Sequence, residues 1–180
     1  VFVLTRWITK HVQGIGYLLS GDGQIALLLY FLLILPGVIL HELSHAVVAW
    51  VLRVPVRSFS LGLERKRGKG AFALGSVEVA SADPIRSSLI GVAPLITGCA
   101  AIILIGDQVL QVETLPRFSD PWFWQRLQTI YHTPDFGLWL YLVLAVSNAM
   151  LPSASDRRSW GRALTFILLV GLILYFTGLL

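Results

Sequence analysis

The sequence predicts an all-α polytopic membrane protein with about four transmembrane helices, an N-terminal interfacial or partial helix, and a short cytoplasmic β-hairpin between the second and third segments. Three observations carry this. Hydrophobic residues make up 56% of the 180-residue chain and charged residues 13%, against about 45–50% and about 25% in ordinary soluble domains. Apolar stretches occur at 25–52, 84–106, 136–152 and 163–180, and roughly 17–25 apolar residues cross a bilayer as a helix. The basic residues are concentrated in alternate connections, the bias expected of cytoplasmic loops.

In residues 1–20, Val1, Leu4, Ile8, Val12 and Ile15 recur at helical spacing beside Arg6, Lys10 and His11. This is the pattern of an amphipathic helix lying in the membrane interface, and the tail of a longer span gives the same pattern. The span 25–52 then runs inward. The segment 54–83 carries two β-like runs, Val56 to Leu63 and Ala71 to Ala80, around the basic, glycine-bearing stretch 64–70, which reads as a hairpin. Arg53, Arg57, Arg65, Lys66, Arg67, Lys69 and Arg86 place this connection in the cytoplasm. The span 84–106 returns outward to a connection, 107–135, where only Arg117 and Arg126 face Asp107, Glu113, Asp120 and Asp135. Its Pro121-Trp122-Phe123-Trp124 run and Tyr131 suit anchoring at headgroup level. The short span 136–152 comes back in, Arg157, Arg158 and Arg162 lie on the cytoplasmic side, and 163–180 goes out.

The whole of 1–180 reads as one membrane-embedded module without internal repeats. The net charge of +4 is accounted for by residues flanking the spans, so nucleic acid is not an expected partner, whereas the lipid bilayer is. With Cys99 alone, neither an intramolecular disulfide nor a cysteine-based zinc site can form.

Chemistry concentrates in the first complete span. An ionisable side chain at the centre of a membrane helix costs about 2.5–3.5 kcal/mol on insertion scales, yet His41, Glu42 and His45 stand together there. Their order, H-E-x-x-H, sets two imidazoles at i and i+4 on one helix face, where they can share one zinc ion, with Glu42 beside them to take a proton from water. Chance placement of this composition gives the pattern in roughly 0.2% of sequences, and polar residues that merely glue helices together do not require this spacing.

A catalytic zinc site usually takes three protein ligands and leaves a position for water. The candidates are His11, His132, Glu64, Glu78, Glu113 and the aspartates, and topology removes most of them, because His41 and His45 approach the cytoplasmic half of their helix. Asp156 follows the span 136–152 on that side, where Pro152 can break the helix. A helix cap or a surface partner for Arg157 or Arg158 is the ordinary alternative for Asp156, and Asp83, before Pro84, is the next candidate ligand.

These residues resemble the site-2 protease family of intramembrane zinc metalloproteases over most of the chain. His41 to His45 match its H-E-x-x-H motif. Its later N-x-x-P followed by L-D-G is similar to the stretch from Asn148 to Asp156, with the proline one residue late at Pro152, Ser155 in place of leucine and Arg157 in place of glycine. Ala93-Pro94-Leu95-Ile96-Thr97 resembles the family's A-G-P-x-x-N stretch, with Ala93 for glycine and Thr97 for asparagine; ordinary packing by small residues such as Gly91 and Ala93 gives the same pattern.

The resemblance implies Asp156 as third ligand to one Zn2+ per chain, and hydrolysis of peptide bonds in or near transmembrane segments of membrane-protein substrates. Glu42 would be the general base and Asn148 a group that orients substrate backbone. The run 71–80 is the candidate strand for holding an extended substrate by β-augmentation. The expected setting is an integral multi-pass protein of the cell membrane with its site toward the cytoplasm. Three rival readings are a non-catalytic zinc-binding membrane protein of the same fold acting through partners, a metal transporter, and cleavage of soluble peptides, the last disfavoured by a site within a membrane helix. The second should show ionisable residues along a path across several spans, and the outer halves of these spans are nearly free of them.

Overall fold

The computed structural model describes residues 2–65, 72–112, 115–116, 118–161, 163–165 and 168–169. The chain is mostly helical, with one small two-stranded sheet. Helix α1 (Phe2–Ser20) turns back through Gly21, at φ +68°, into α2 (Gly23–Val51), capped by the Asp22 side chain accepting from the Gln24 N–H at 2.6 Å. A glycine takes that left-handed backbone without steric cost. The expected N-terminal helix therefore exists, and it packs back on α2: Gly16 meets Ala26, Val12 joins the Tyr30, Phe31, Ile34 and Val38 cluster, and Thr9 bonds Tyr30.

Helix α2 is apolar on its exposed face, and its buried face is apolar apart from Tyr30 and the cluster Glu42, Ser44 and His45. Ala26, Tyr30, Ile34, Val38, Glu42, His45 and Ala49 are buried, while Leu28, Leu32, Ile39, Leu43, Val47 and Trp50 are exposed. Its 29 residues span about 43 Å at about 1.5 Å each, beyond the hydrocarbon core of about 30 Å. Helix α3 (Pro84–Leu104) continues through one π turn, Ile105–Val109, closed by the bond from Leu110 N–H to the Ile105 carbonyl, to 26 residues in all. These two helices, of mean hydropathy 2.3 and 2.4, are long and apolar enough to cross a membrane.

The other two expected spans stand differently. Helix α5 (Phe136–Ala149) is apolar but has 14 residues, about 21 Å, and most of 163–180 lies outside the described residues. The connection 107–135 contains a helix the sequence reading did not assign, α4 (Phe123–Tyr131), where Phe123, Leu127 and Ile130 recur at i, i+4 and i+7. The rings of Phe118, Phe123 and Trp124 meet edge to face, with Trp122 and Trp124 exposed.

The hairpin forms as expected. Strands β1 (Val56–Arg65) and β2 (Phe72–Val79) pair antiparallel from Val56 with Val79 to Arg65 with Phe72, and the basic tip 66–70 lies outside the described residues. A two-stranded hairpin is marginal alone, and this one is seated on the C-terminal half of α2. Gly75 lies against Glu42 and Val38, and Val79 and Ala80 pack on the Ala49, Val54 and Ile90 cluster. On its other flank α2 receives α5 at Gly37, where an added Cβ would collide with the Ala145 carbonyl.

Candidate metal centre

The helical spacing of His41 and His45 puts both rings on the face of α2 that meets α3 and α5, with ring centroids 4.8 Å apart. Each ring is fixed by a backbone carbonyl of a different neighbour: His41 Nδ1 lies 2.8 Å from the Ala149 oxygen of α5, and His45 Nδ1 lies 2.8 Å from the Ile90 oxygen of α3. A carbonyl oxygen only accepts, so each Nδ1 carries the proton and each neutral ring presents its Nε2 lone pair. Those two Nε2 atoms stand 3.2 Å apart.

Asp156 arrives from outside the helices. Helix α5 ends at Ala149, Pro152 cannot extend it, and the chain re-forms a short 3-10 turn at Asp156–Ser159. Across Ser153-Ala154-Ser155-Asp156, the Ser153 N–H donates to Asp156 Oδ2 at 2.6 Å and the Asp156 N–H donates to Ser153 Oγ at 3.3 Å. This is the reciprocal geometry of a capping box, with aspartate in the acidic position. Asp156 is thus not the N-cap itself, which is Ser155, and its carboxylate also faces the histidines: Oδ1 lies 3.4 Å from His45 Nε2, and Oδ2 lies 3.7 Å from His41 Nε2.

The three side chains offer ligand atoms all within 4.8 Å of one another. Ligands about 2.0–2.1 Å from a tetrahedral ion stand about 3.3–3.4 Å apart; the two Nε2 atoms are 3.2 Å apart, and they lie 3.4 and 3.7 Å from the two different oxygens of the Asp156 carboxylate. Two lone pairs and a carboxylate facing one another are all acceptors, and a cation among them satisfies all three. The residues therefore fit a metal ion. Burial alone would raise the Asp156 carboxyl, but the Ser153 N–H and the two imidazoles, which donate to it when protonated in the absence of an ion, outweigh it and hold the group well below the usual carboxylate range, so it is an anion at neutral pH.

The site opens into a cavity of about 600 Å³ that reaches from Tyr30 along α2 to Arg158 and is lined by Glu42, Gly75, Ser76, Val77, Asn148 and Ser153 among others. Glu42 is buried beside the histidines. Asn148 lines the cavity and donates from Nδ2 to the Tyr30 hydroxyl at 2.8 Å, while its Oδ1 is buried with no hydrogen-bond partner.

Among the alternative ligands, Glu113 and the Glu64 side chain lie outside the described residues, and the following are placed elsewhere. Asp83 caps α3, accepting from the Ile85 and Arg86 N–H groups at 3.0 and 2.9 Å and pairing with the Arg86 guanidinium. His11 is exposed on α1 with Nδ1 bonded to the Trp7 carbonyl, and His132 caps α4 at the surface. Glu78 is exposed, whereas Ser76 lines the cavity. In the Ala93 to Thr97 stretch, Ala93 and Pro94 are buried and Thr97 bonds its own helix at the Ala93 and Pro94 carbonyls, which is packing.

Two glycines that shape the site were passed over or undervalued in the sequence. A Cβ on Gly91 of α3 would collide with the Asp156 carbonyl, so this glycine lets Asp156 reach the histidines. Gly75, at φ +122°, brings β2 so close that a Cβ would lie 3.0 Å from Glu42 Cγ and 3.1 Å from its Oε1. The available signal was an isolated glycine within a strand pattern, which marks close backbone approach. Tyr30 was the third omission. In comparisons with known proteins, no family model, no curated protein and no solved structure matches the chain.

Proposed function

We propose that the protein is a zinc-dependent intramembrane endopeptidase of the site-2 protease kind, hydrolysing peptide bonds in or near transmembrane segments of membrane proteins. The observation that carries this reading is the convergence of His41 Nε2, His45 Nε2 and the Asp156 carboxylate beside Glu42, within a helix long and apolar enough to cross a membrane. The same donor set also suits iron(II); a glutamate adjoining the first ligand histidine on the helix favours hydrolysis. The asymmetry of Lys and Arg supports a multi-pass protein of the cell membrane whose site faces the cytoplasm.

His41, His45 and Asp156 would hold a zinc ion, which would supply Lewis-acid polarisation of the scissile carbonyl and lower the pKa of water toward about 7. Glu42 accepts the proton of the attacking water and delivers it to the departing amine. The Nδ1 bonds of His41 and His45 keep both rings in the ligating tautomer through this cycle. Asn148, on the cavity wall, orients the opened substrate backbone. A membrane helix hides its amides in internal hydrogen bonds and must be unwound before attack, and β2, running past Glu42 at Gly75, is the strand against which the extended segment lies.

Protein purified in detergent, as wild type, Glu42→Gln and Asp156→Ala, tests this by elemental analysis and by cleavage of a model transmembrane substrate. The expected result is one zinc per chain, retained without cleavage in Glu42→Gln and weakened in Asp156→Ala. Full function in Glu42→Gln would instead establish a non-catalytic zinc protein acting through partners, and wild type without metal sinks the enzymatic reading.

A further inference from the structure

Tyr30 lies eleven positions before His41 on α2 and has no place in the metal chemistry, yet it is buried, lines the cavity and holds two polar partners. Its hydroxyl stands 2.9 Å from Thr9 Oγ1 of α1 and accepts from Asn148 Nδ2 of α5 at 2.8 Å. A carboxamide nitrogen can only donate, so in this arrangement the Tyr30 hydroxyl accepts, is free to donate to Thr9, and turns the amide oxygen the other way. The other end, Asn148 Oδ1, is left buried with no partner. A buried acceptor without a donor is costly enough to need a reason, and a donor brought in by substrate backbone provides one.

We propose that Tyr30 is a positioning residue for Asn148, holding its carboxamide by the nitrogen so that the oxygen is kept for a substrate N–H, and that Thr9 fixes the Tyr30 hydroxyl in turn. This rests on the peptidase reading for its substrate and on hydrogen-bond geometry alone for the hold itself. It gives α1 a part in the site: the Thr9, Tyr30 and Asn148 chain ties α1, α2 and α5 together within the cavity wall.

Asn148 is the only asparagine in the chain, so selective 15N-asparagine labelling yields a single side-chain NH2 pair. In wild type one of its protons should be shifted downfield by the bond to Tyr30, and in Tyr30→Phe that shift should collapse while bound metal stays at the wild-type level. Cleavage of the model transmembrane substrate should fall roughly tenfold in Tyr30→Phe and in Asn148→Ala alike, the double variant being no worse than Asn148→Ala, and Thr9→Val should lose about twofold to threefold. An unchanged Asn148 signal in Tyr30→Phe overturns the proposal, as do losses that multiply in the double variant. Thr9→Val leaves Tyr30 itself intact, so a shifted Asn148 signal there supports the chain even if Tyr30→Phe folds poorly. If wild type binds metal but cleaves nothing, the peptidase reading falls, while the Asn148 signal still decides whether Tyr30 holds the amide.

Discussion

The two histidines and the aspartate reach the same point by opposite means. His41 and His45 are set by the regular geometry of α2, where any residues at i and i+4 share a face. Asp156 sits in a turn after a broken helix, and its position depends on a capping box with Ser153 and on the absence of a side chain at Gly91. In the first region the placement is local, and the neighbouring helices fix only the rotation of the rings. The second is a tertiary construction, as precise as the contacts around it, and the difference can be measured.

Losing a ligand should have the largest effect. Zinc held at about 10–16 kcal/mol by four ligands gives about 3 kcal/mol each, so His45→Ala and Asp156→Ala should each weaken metal binding about 100-fold or more in a chelator competition. Next comes Gly91→Ala, which touches no ligand atom but forces the Asp156 backbone aside. It should weaken the metal roughly 10-fold to 100-fold, the usual range for groups that support ligands, and an unchanged affinity would show that the turn does not depend on α3. Gly75→Ala sharpens the contrast from the other side. It strains a backbone at φ +122° and crowds Glu42, so cleavage should fall about tenfold or more with metal content unchanged. Smallest is Ser153→Ala, which keeps the 2.6 Å N–H bond to the carboxylate and loses the 3.3 Å bond to Oγ and the 2.7 Å bond between the Ser153 and Ser155 hydroxyls; a loss of about threefold in metal affinity is expected.

Legibility in the sequence followed the same division. The H-E-x-x-H pattern needs only helical periodicity, and α2 was expected at 25–52 and found at Gly23–Val51. The hairpin and the start of α3 at Pro84 were equally readable, from strand-like runs and from a proline that suits a first helical turn. Asp156 was reachable because Pro152 marks a break, but its capping box could be read only as an alternative to ligation, since one sequence does not tell that two carboxylate oxygens serve both. The seating of β2 on Glu42, the contact at Gly91 and the bond from Asn148 to Tyr30 join residues 33, 65 and 118 positions apart, and no periodicity encodes such distances. Helix α4 was missed because nine residues amid tryptophans read as an anchoring connection.

The anchoring of the two imidazoles has a consequence beyond ligand geometry. Because His41 is tied to the end of α5 and His45 to the middle of α3, an ion drawn into the cluster braces three helices at once. Occupancy and bundle integrity then share one equilibrium, in which a ligand at a thousandfold excess over its dissociation constant contributes about 4.1 kcal/mol to the folded state. If the cluster does hold an ion, a chain without it would be a looser bundle, more open to proteolysis, and metal supply would help set how long the protein persists.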